Sequence, residues 1–156
     1  MKNSTYSDRP IKPTQSKLYK DKDCILFLQT ALFETKQQCE QLLEHTETSQ
    51  LRSVLYHFTL ERKSLITCVD QHLENQQDSL ILERAYSKKI SALYQEIDNL
   101  IYKQTIVFED IILTEQRILQ FVKWLLIASD RQPIRHWLSS LAASIQIGLD
   151  KLEQQA

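Results

Sequence analysis

Glutamates that interrupt apolar stripes are the residues of this sequence best suited to chemistry. Glu61 lies between Phe58 and Leu65, and Glu115 is flanked on both sides by isoleucines at helical spacing. This spacing predicts that both carboxylates lie on the core side of a helix. A buried carboxylate is costly unless it is paired or bound to a cation. Two such groups therefore indicate either buried ion pairs or a metal site.

Partners for an ion pair are available close to both glutamates in the sequence. They are Arg52, Arg62 and Lys63 for Glu61, and Arg117 and Lys123 for Glu115. The metal alternative takes a third ligand from the preceding helix, because a chain reversal near residue 48 places Glu34 level with Glu61 or Arg62. Glu34, Glu61 and Glu115 are thus the candidate ligands for iron or another divalent metal, and ion pairing is the simpler expectation.

Histidine is missing from the positions where iron chemistry would need it. In di-iron carboxylate bundles, two of the helices each supply a Glu-x-x-His pair. None of the four histidines here follows a glutamate by three residues, and Ser64 stands three residues after Glu61. A complete ferroxidase centre is therefore not expected, and neither is a bound cofactor.

Two further patterns suggest other chemistry. Cys68 and His72 share a helical face, and hairpin register brings Cys24 near them, an arrangement that suits zinc. Ordinary buried thiols are the alternative. Arg131 and His136 match the Arg-x4-His motif of the HEPN ribonuclease domains, in which a cation and an imidazole would flank a scissile phosphate. The same segment is also typical of a helix start.

The elements that would position these residues are predicted to be helices. Glycine occurs once and proline three times, fewer than the tight turns of a β-sheet protein usually need. Leu, Gln, Glu, Lys and Ala are frequent, and all of them favour helices. The sequence has no Gly-rich phosphate loop and no Gly-x-Ser-x-Gly motif. The fold class is therefore predicted to be all-α.

Polar breaks divide the chain into two helical hairpins and a connecting helix. Residues able to cap a helix predict its starts: Asp21 or Asp23, Thr48 or Ser49, and Ser129 or Asp130 before Pro133. A break near 98–105 is expected, because one helix over 80–130 would be too long for a compact domain. The predicted helices lie near 22–46, 50–75, 80–98, 105–129 and 132–153. This order predicts an up-down four-helix bundle with a long crossover helix between its second and third main helices, as in ferritin-like folds.

Charge and composition predict the organisation of the chain and its location. Residues 1–20 are locally basic and lack any period, so a disordered leader is expected before one helical domain over 21–156. The net charge of −1 gives no general attraction to nucleic acid. The longest apolar run, residues 124–128, is too short to span a membrane. A cytoplasmic protein with free thiols, and with no membrane or nucleic-acid partner, is expected.

The first predicted hairpin also carries a family resemblance. The segment from Cys39 to Leu65 combines an acidic helix end, a short polar turn and the pair Glu61-Arg62. It resembles the first hairpin of a bacterial ferritin-like family of unknown function, and the chain from Glu83 onward is similar to that family's crossover helix and second hairpin. The resemblance implies a four-helix bundle, often dimeric, in a group loosely linked to stress responses. Ser64 stands where the superfamily has histidine, which implies a degenerate metal site.

These observations favour a non-enzymatic ferritin-like bundle that acts as a homodimeric binding or structural protein. The first alternative is a metal-binding protein of iron handling or redox chemistry that uses Glu34, Glu61 and Glu115. The second alternative is a HEPN-type ribonuclease that uses Arg131 and His136.

Overall fold

Five α-helices make up the structure, which is a computed structural model that describes residues 18–76 and 79–156. Within these ranges there is no strand, only one antiparallel bridge between Lys20 and Ile81. The all-α prediction is confirmed, and the break predicted near 98–105 falls between the third and fourth helices. The helices are α1 (Asp21–His45), α2 (Ser49–Asn75), α3 (Arg84–Ile101), α4 (Phe108–Ala128) and α5 (Gln132–Glu153).

The helices alternate in direction along the chain. Short loops make α1–α2 and α4–α5 antiparallel hairpins. Helix α3 starts beside the beginning of α1, where the Leu82 amide donates to the Tyr19 carbonyl at 2.7 Å. It ends beside the later part of α1, where Gln38 Nε2 donates to the carbonyls of Leu100 and Ile101. Helix α3 therefore runs the length of α1, and it packs against both α1 and α4.

A buried aspartate ties four segments together at the start of α1. The Asp21 side chain accepts hydrogen bonds from the Leu80 amide at 3.0 Å and from Gln76 Nε2 at 3.4 Å. Its second oxygen pairs with Arg131 Nη2 at 2.9 Å. The end of α2, the connection to α3 and the start of α5 thus converge on one carboxylate.

The predicted caps of α1 and α5 differ from those observed, whereas Thr48 is the N-cap residue of α2 as predicted. Asp21 is the first helical residue of α1 and makes no cap bond, because its carboxylate is bound to the neighbouring segments. Lys20 and Arg131 are the N-cap residues of α1 and α5, and Pro133 lies in the first turn of α5 as predicted. Ser129 instead closes α4, with its hydroxyl donating to the Leu125 carbonyl at 2.9 Å.

In each hairpin an arginine of the second helix holds the loop by hydrogen bonds to two backbone carbonyls. In the first, Arg52 Nη1 donates to the carbonyls nine and six residues earlier, Leu43 and Thr46. In the second, Arg135 Nη1 donates to the carbonyls at the same two separations. Thr46 and Ser129, which occupy equivalent places, each donate a hydroxyl to the carbonyl four residues back. The second hairpin therefore repeats the local structure of the first, which gives equivalent positions in the two halves.

The core is densest where α1, α3 and α4 meet. Phe27 of α1 stacks on Tyr94 of α3 with ring centroids 3.8 Å apart. Phe121 of α4 packs against the Phe27 ring, with ring centroids 5.5 Å apart. Helices α2 and α5 contact each other less extensively than each contacts its hairpin partner. A groove therefore lies between α2 and α5, on the side of the molecule away from α3.

The last three residues that the sequence analysis assigned to the leader are described by the structure. Tyr19 is buried and Lys20 takes part in the bridge to Ile81, so residues 18–20 belong to the folded part. Residues 1–17 lie outside the described residues, and with them most of the predicted leader. Across the described ranges, no helix combines the length and apolar character needed to cross a membrane.

Candidate functional site

The candidate site begins with a buried arginine on α2. Leu55, Arg62 and Val69 are spaced by seven residues, so they lie on one face of the helix, and each is at most 2% exposed. The arginine therefore occupies a position that its neighbours on the stripe fill with apolar side chains. Its guanidinium carbon lies 4.6 Å from the centre of the Phe58 ring, which covers one face of the cation.

Glu115 of α4 is the partner of this arginine. Its carboxylate is fully buried, and its Oε1 atom accepts a hydrogen bond from Arg62 Nη2. Only one nitrogen of the guanidinium is used. Arg62 Nε, Arg62 Nη1 and Glu115 Oε2 are buried and have no hydrogen-bond partner among the described residues. The pair neutralises both charges but leaves donors and an acceptor open, which is costly in a protein interior.

A thiol of α1 borders the pair. Cys39 is fully buried, and its pKa is raised by burial and by the negative charge of Glu115, against a smaller opposing effect of Arg62. The thiol is therefore protonated and unreactive at neutral pH. It adds volume to the interior without adding charge.

The prediction that Glu61 faces the core is wrong. Its side chain is 52% exposed and pairs with Lys151 of α5 at 3.3 Å. Helical spacing from Phe58 and Leu65 suits positions 61 and 62 equally well, and Arg62 takes the interior place. Glu61 instead spans the groove at the surface, where a pair of exposed charges contributes little to stability.

The three candidate metal ligands are not brought together. Glu115 is in the interior with Arg62, Glu61 is at the groove surface, and Glu34 is partly exposed on α1. The part of the chain that the structure describes contains no group of three or more His, Cys, Asp or Glu side chains placed to hold a metal ion.

The predicted zinc ligands also serve separate roles. Cys24 is buried, and burial raises its pKa. Cys68 is exposed and accepts a hydrogen bond from Trp137 Nε1 at 3.3 Å. The His72 ring stacks on the Trp137 ring at 3.9 Å, and burial lowers its pKa. Through these contacts Cys68 and His72 of α2 pack against Trp137 of α5, beside the groove between the two helices.

The Arg-x4-His segment is occupied by a structural contact. Arg131 binds the buried carboxylate of Asp21, and His136 is exposed on the first turns of α5. Because Arg131 is engaged by Asp21, its guanidinium is poorly placed to stabilise the charge of a phosphate during cleavage.

Two adjoining cavities lie in the groove between α2 and α5. The larger, about 420 Å³, is lined by Arg62 together with apolar side chains of both helices. The smaller, about 260 Å³, lies towards the end of α5. Phe58, Glu61 and Gly148 line both, so the cavities form one continuous groove. The lining of the larger cavity is Phe58, Glu61, Arg62, Ser64, Leu65, Cys68, Ser144, Ile145, Ile147 and Gly148.

No family model matches the chain, and no curated protein or solved structure is detectably similar to it. The resemblance to a ferritin-like family therefore stays a prediction.

Arg62 is the functional candidate that sequence reasoning assigned wrongly, as one of three possible ion-pair partners of Glu61. The signal that identifies it is the heptad spacing from Leu55 to Val69. A basic residue in such a stripe is readily assigned to the exposed edge, because lysine and arginine are rarely fully buried unless paired. Its partner Glu115 lies 53 residues away in the chain, beyond the reach of local spacing.

Proposed function

We propose that this protein is a non-enzymatic bundle of the ferritin-like type that acts by binding. In this proposal the interior site of a di-metal bundle has degenerated into an ion pair. The protein works as a homodimeric binding or structural protein, with the α2–α5 groove as its binding surface.

The order of helix contacts supports the ferritin-like part of the proposal. Helices α1 and α2, and α4 and α5, are hairpin pairs, and α1 contacts α4 while α2 contacts α5. These four helices surround a shared interior. Helix α3 lies outside them against α1 and α4, as a crossover helix between two hairpins would.

The single observation that carries the proposal is the Arg62–Glu115 pair. Glu115 is the one predicted metal ligand that reaches the interior, and a guanidinium already neutralises it. A divalent cation at Glu115 would have to lie next to the positive charge of Arg62, which is unfavourable in a poorly hydrated interior. The arginine thus occupies the place that a metal would take.

Metal analysis of protein purified without chelator tests this proposal. We expect less than about one tenth of an equivalent of iron, manganese or zinc per chain, because no set of ligands from the described part of the chain converges on Glu115. Stoichiometric metal that is lost in the Glu115→Gln variant and kept in the Glu61→Gln variant would contradict it. That result would favour the metal-dependent alternative.

The dimeric part of the proposal rests on apolar surface that the described residues leave uncovered. Tyr56 and Leu60 of α2 are each about half exposed and line neither cavity of the groove, and a second copy would cover such side chains. Light scattering should give twice the chain mass of 18.4 kDa. A monomer at all concentrations would remove the dimer from the proposal.

A further inference from the structure

The larger cavity of the α2–α5 groove has the composition of a ligand site. Its volume of about 420 Å³ is within the range of small-molecule pockets, roughly 300–1,000 Å³. Phe58 and Leu65 of α2 and Ile145 of α5 form apolar walls, and Arg62 supplies a charged group among them. The other polar residues of the lining, Glu61, Ser64 and Ser144, are exposed, so Arg62 is the buried anchor. Apolar walls with a buried polar anchor suit a molecule that has an apolar body and one polar end.

The anchor has hydrogen-bonding capacity that the protein does not use. A guanidinium carries five N–H donors, and Glu115 engages only Nη2 of Arg62. Nε and Nη1 are buried and have no hydrogen-bond partner among the described residues. The residue as a whole is 98% buried, and it lines the cavity. Leaving such donors unpaired costs free energy. A ligand that supplies an acceptor for them would therefore be bound more tightly.

A glycine, Gly148, lines both cavities of the groove. A methyl group added at Gly148 would meet the Phe58 ring at 3.9 Å, an ordinary contact. A longer side chain would extend into the space between α2 and α5 that both cavities share. The only glycine of the sequence thus lies where it leaves room for a ligand beside Arg62.

We propose that the groove binds a monocarboxylate with an apolar chain, its carboxylate on the unpartnered donors of Arg62 and its chain along Phe58, Leu65 and Ile145. This inference rests on the proposed binding function and names its ligand class. Arginine can serve two carboxylates at once because its donors point in several directions.

Calorimetric titration with octanoate and with 1-octanol tests the proposal, because the two probes share a chain length and differ in the head group. For the natural protein we expect octanoate to bind at least about tenfold more tightly than 1-octanol, as a hydrogen bond to a charged group implies. Acetate, which has the head group without the chain, should show no measurable binding.

The variant that removes the anchor replaces each residue of the ion pair by its equivalent in the other hairpin. Ile145 stands ten residues after Arg135, as Arg62 does after Arg52, and Leu32 is the corresponding equivalent of Glu115. The double variant Arg62→Ile/Glu115→Leu therefore uses side chains that this fold already buries at equivalent places. It should lose the preference for octanoate while 1-octanol binding stays within about threefold.

A pair of leucine variants on α5 tests the location independently. Gly148→Leu should abolish binding of both probes, whereas Ala143→Leu, at an exposed position of the same helix that lines neither cavity, should leave both within about threefold. Circular dichroism confirms the fold of each variant, and the double variant decides alone if Gly148→Leu does not fold. The proposal is overturned if octanoate fails to bind, shows no preference over 1-octanol, or keeps its preference in the double variant. Metal content, measured on the same preparations, reports separately on the proposed function.

Discussion

Positions 61 and 62 share one turn of α2, and only the second of them reaches the interior. Either position is compatible with the apolar residues at 58 and 65, since both three and four residues are helical spacings. The choice is made by a partner on a different helix, Glu115 of α4, which attracts the guanidinium of Arg62. An interior carboxylate at 115 was therefore predictable from sequence, whereas the identity of its partner was not.

His72 is the residue whose protonation should affect stability near neutral pH. Burial lowers its pKa below the usual 6.5, and its ring stacks on Trp137. The unfolded chain therefore takes up the proton at a higher pH than the folded protein does. The stabilising contribution is fully present above about pH 6.5 and is lost as the pH falls below that value.

We expect the free energy of unfolding to decrease between about pH 7.5 and pH 5, because His72 must gain a charge against its packing. Urea unfolding at both pH values measures the change, and other titrating groups contribute to it. His72→Phe keeps a flat ring against Trp137 and removes the titration, so its decrease should be smaller than that of the natural protein. Equal decreases in the two proteins would show that His72 titrates normally.

At the scale of single helices, sequence reasoning located the elements well and their caps poorly. The five predicted segments agree with the observed helices to within a few residues, because the apolar stripes and polar breaks are local signals. Caps depend on what else a side chain can bind. Asp21, one of the two residues predicted to cap α1, instead binds Leu80 and Arg131 from distant parts of the chain through its carboxylate.

The repeated hairpin device was present in the sequence but is difficult to recognise there. Arg52 and Arg135 hold the same place relative to their loops, and Leu43 matches Leu126. The matched residues are few, and the helices around them differ in most side chains. The equivalence becomes clear only when the hydrogen bonds of both arginines are compared.

Gly148 provides a direct test of packing in α5. Alanine is favoured over glycine in a helix interior, and the added methyl would make an ordinary contact with Phe58 at 3.9 Å. We expect Gly148→Ala to raise the free energy of unfolding by about 0.5–1 kcal/mol. The measurement is chemical denaturation.

Ala143, exposed on the same helix, provides the matched control. Ala143→Gly should lower the free energy of unfolding by a similar amount, about 0.5–1 kcal/mol, through the same difference in helix propensity. A loss of stability in both variants would mean that the methyl at position 148 is not accommodated and that the groove beside Phe58 is narrower than described.

At the scale of the whole molecule, the position of α3 accounts for the asymmetry of the fold. By packing against α1 and α4, it builds a dense core of Phe27, Tyr94 and Phe121 on one side. Helices α2 and α5 receive no such cover, so their seam remains an open groove with Arg62 at its base. The order of hairpin, connecting helix and hairpin followed from local patterns, but this groove depends on tertiary contacts that no local pattern encodes.

The central claim is that Glu115 is held in the interior by Arg62. A double-mutant cycle in urea unfolding, with Arg62→Ile, Glu115→Leu and the double variant, tests it most directly. Each single variant leaves one buried charge unpaired, so we expect each to lose about 3–5 kcal/mol of unfolding free energy. The double variant should lie within about 1–2 kcal/mol of the natural protein, or above it, because it removes both charges. Single variants whose losses simply add in the double variant would contradict the pairing.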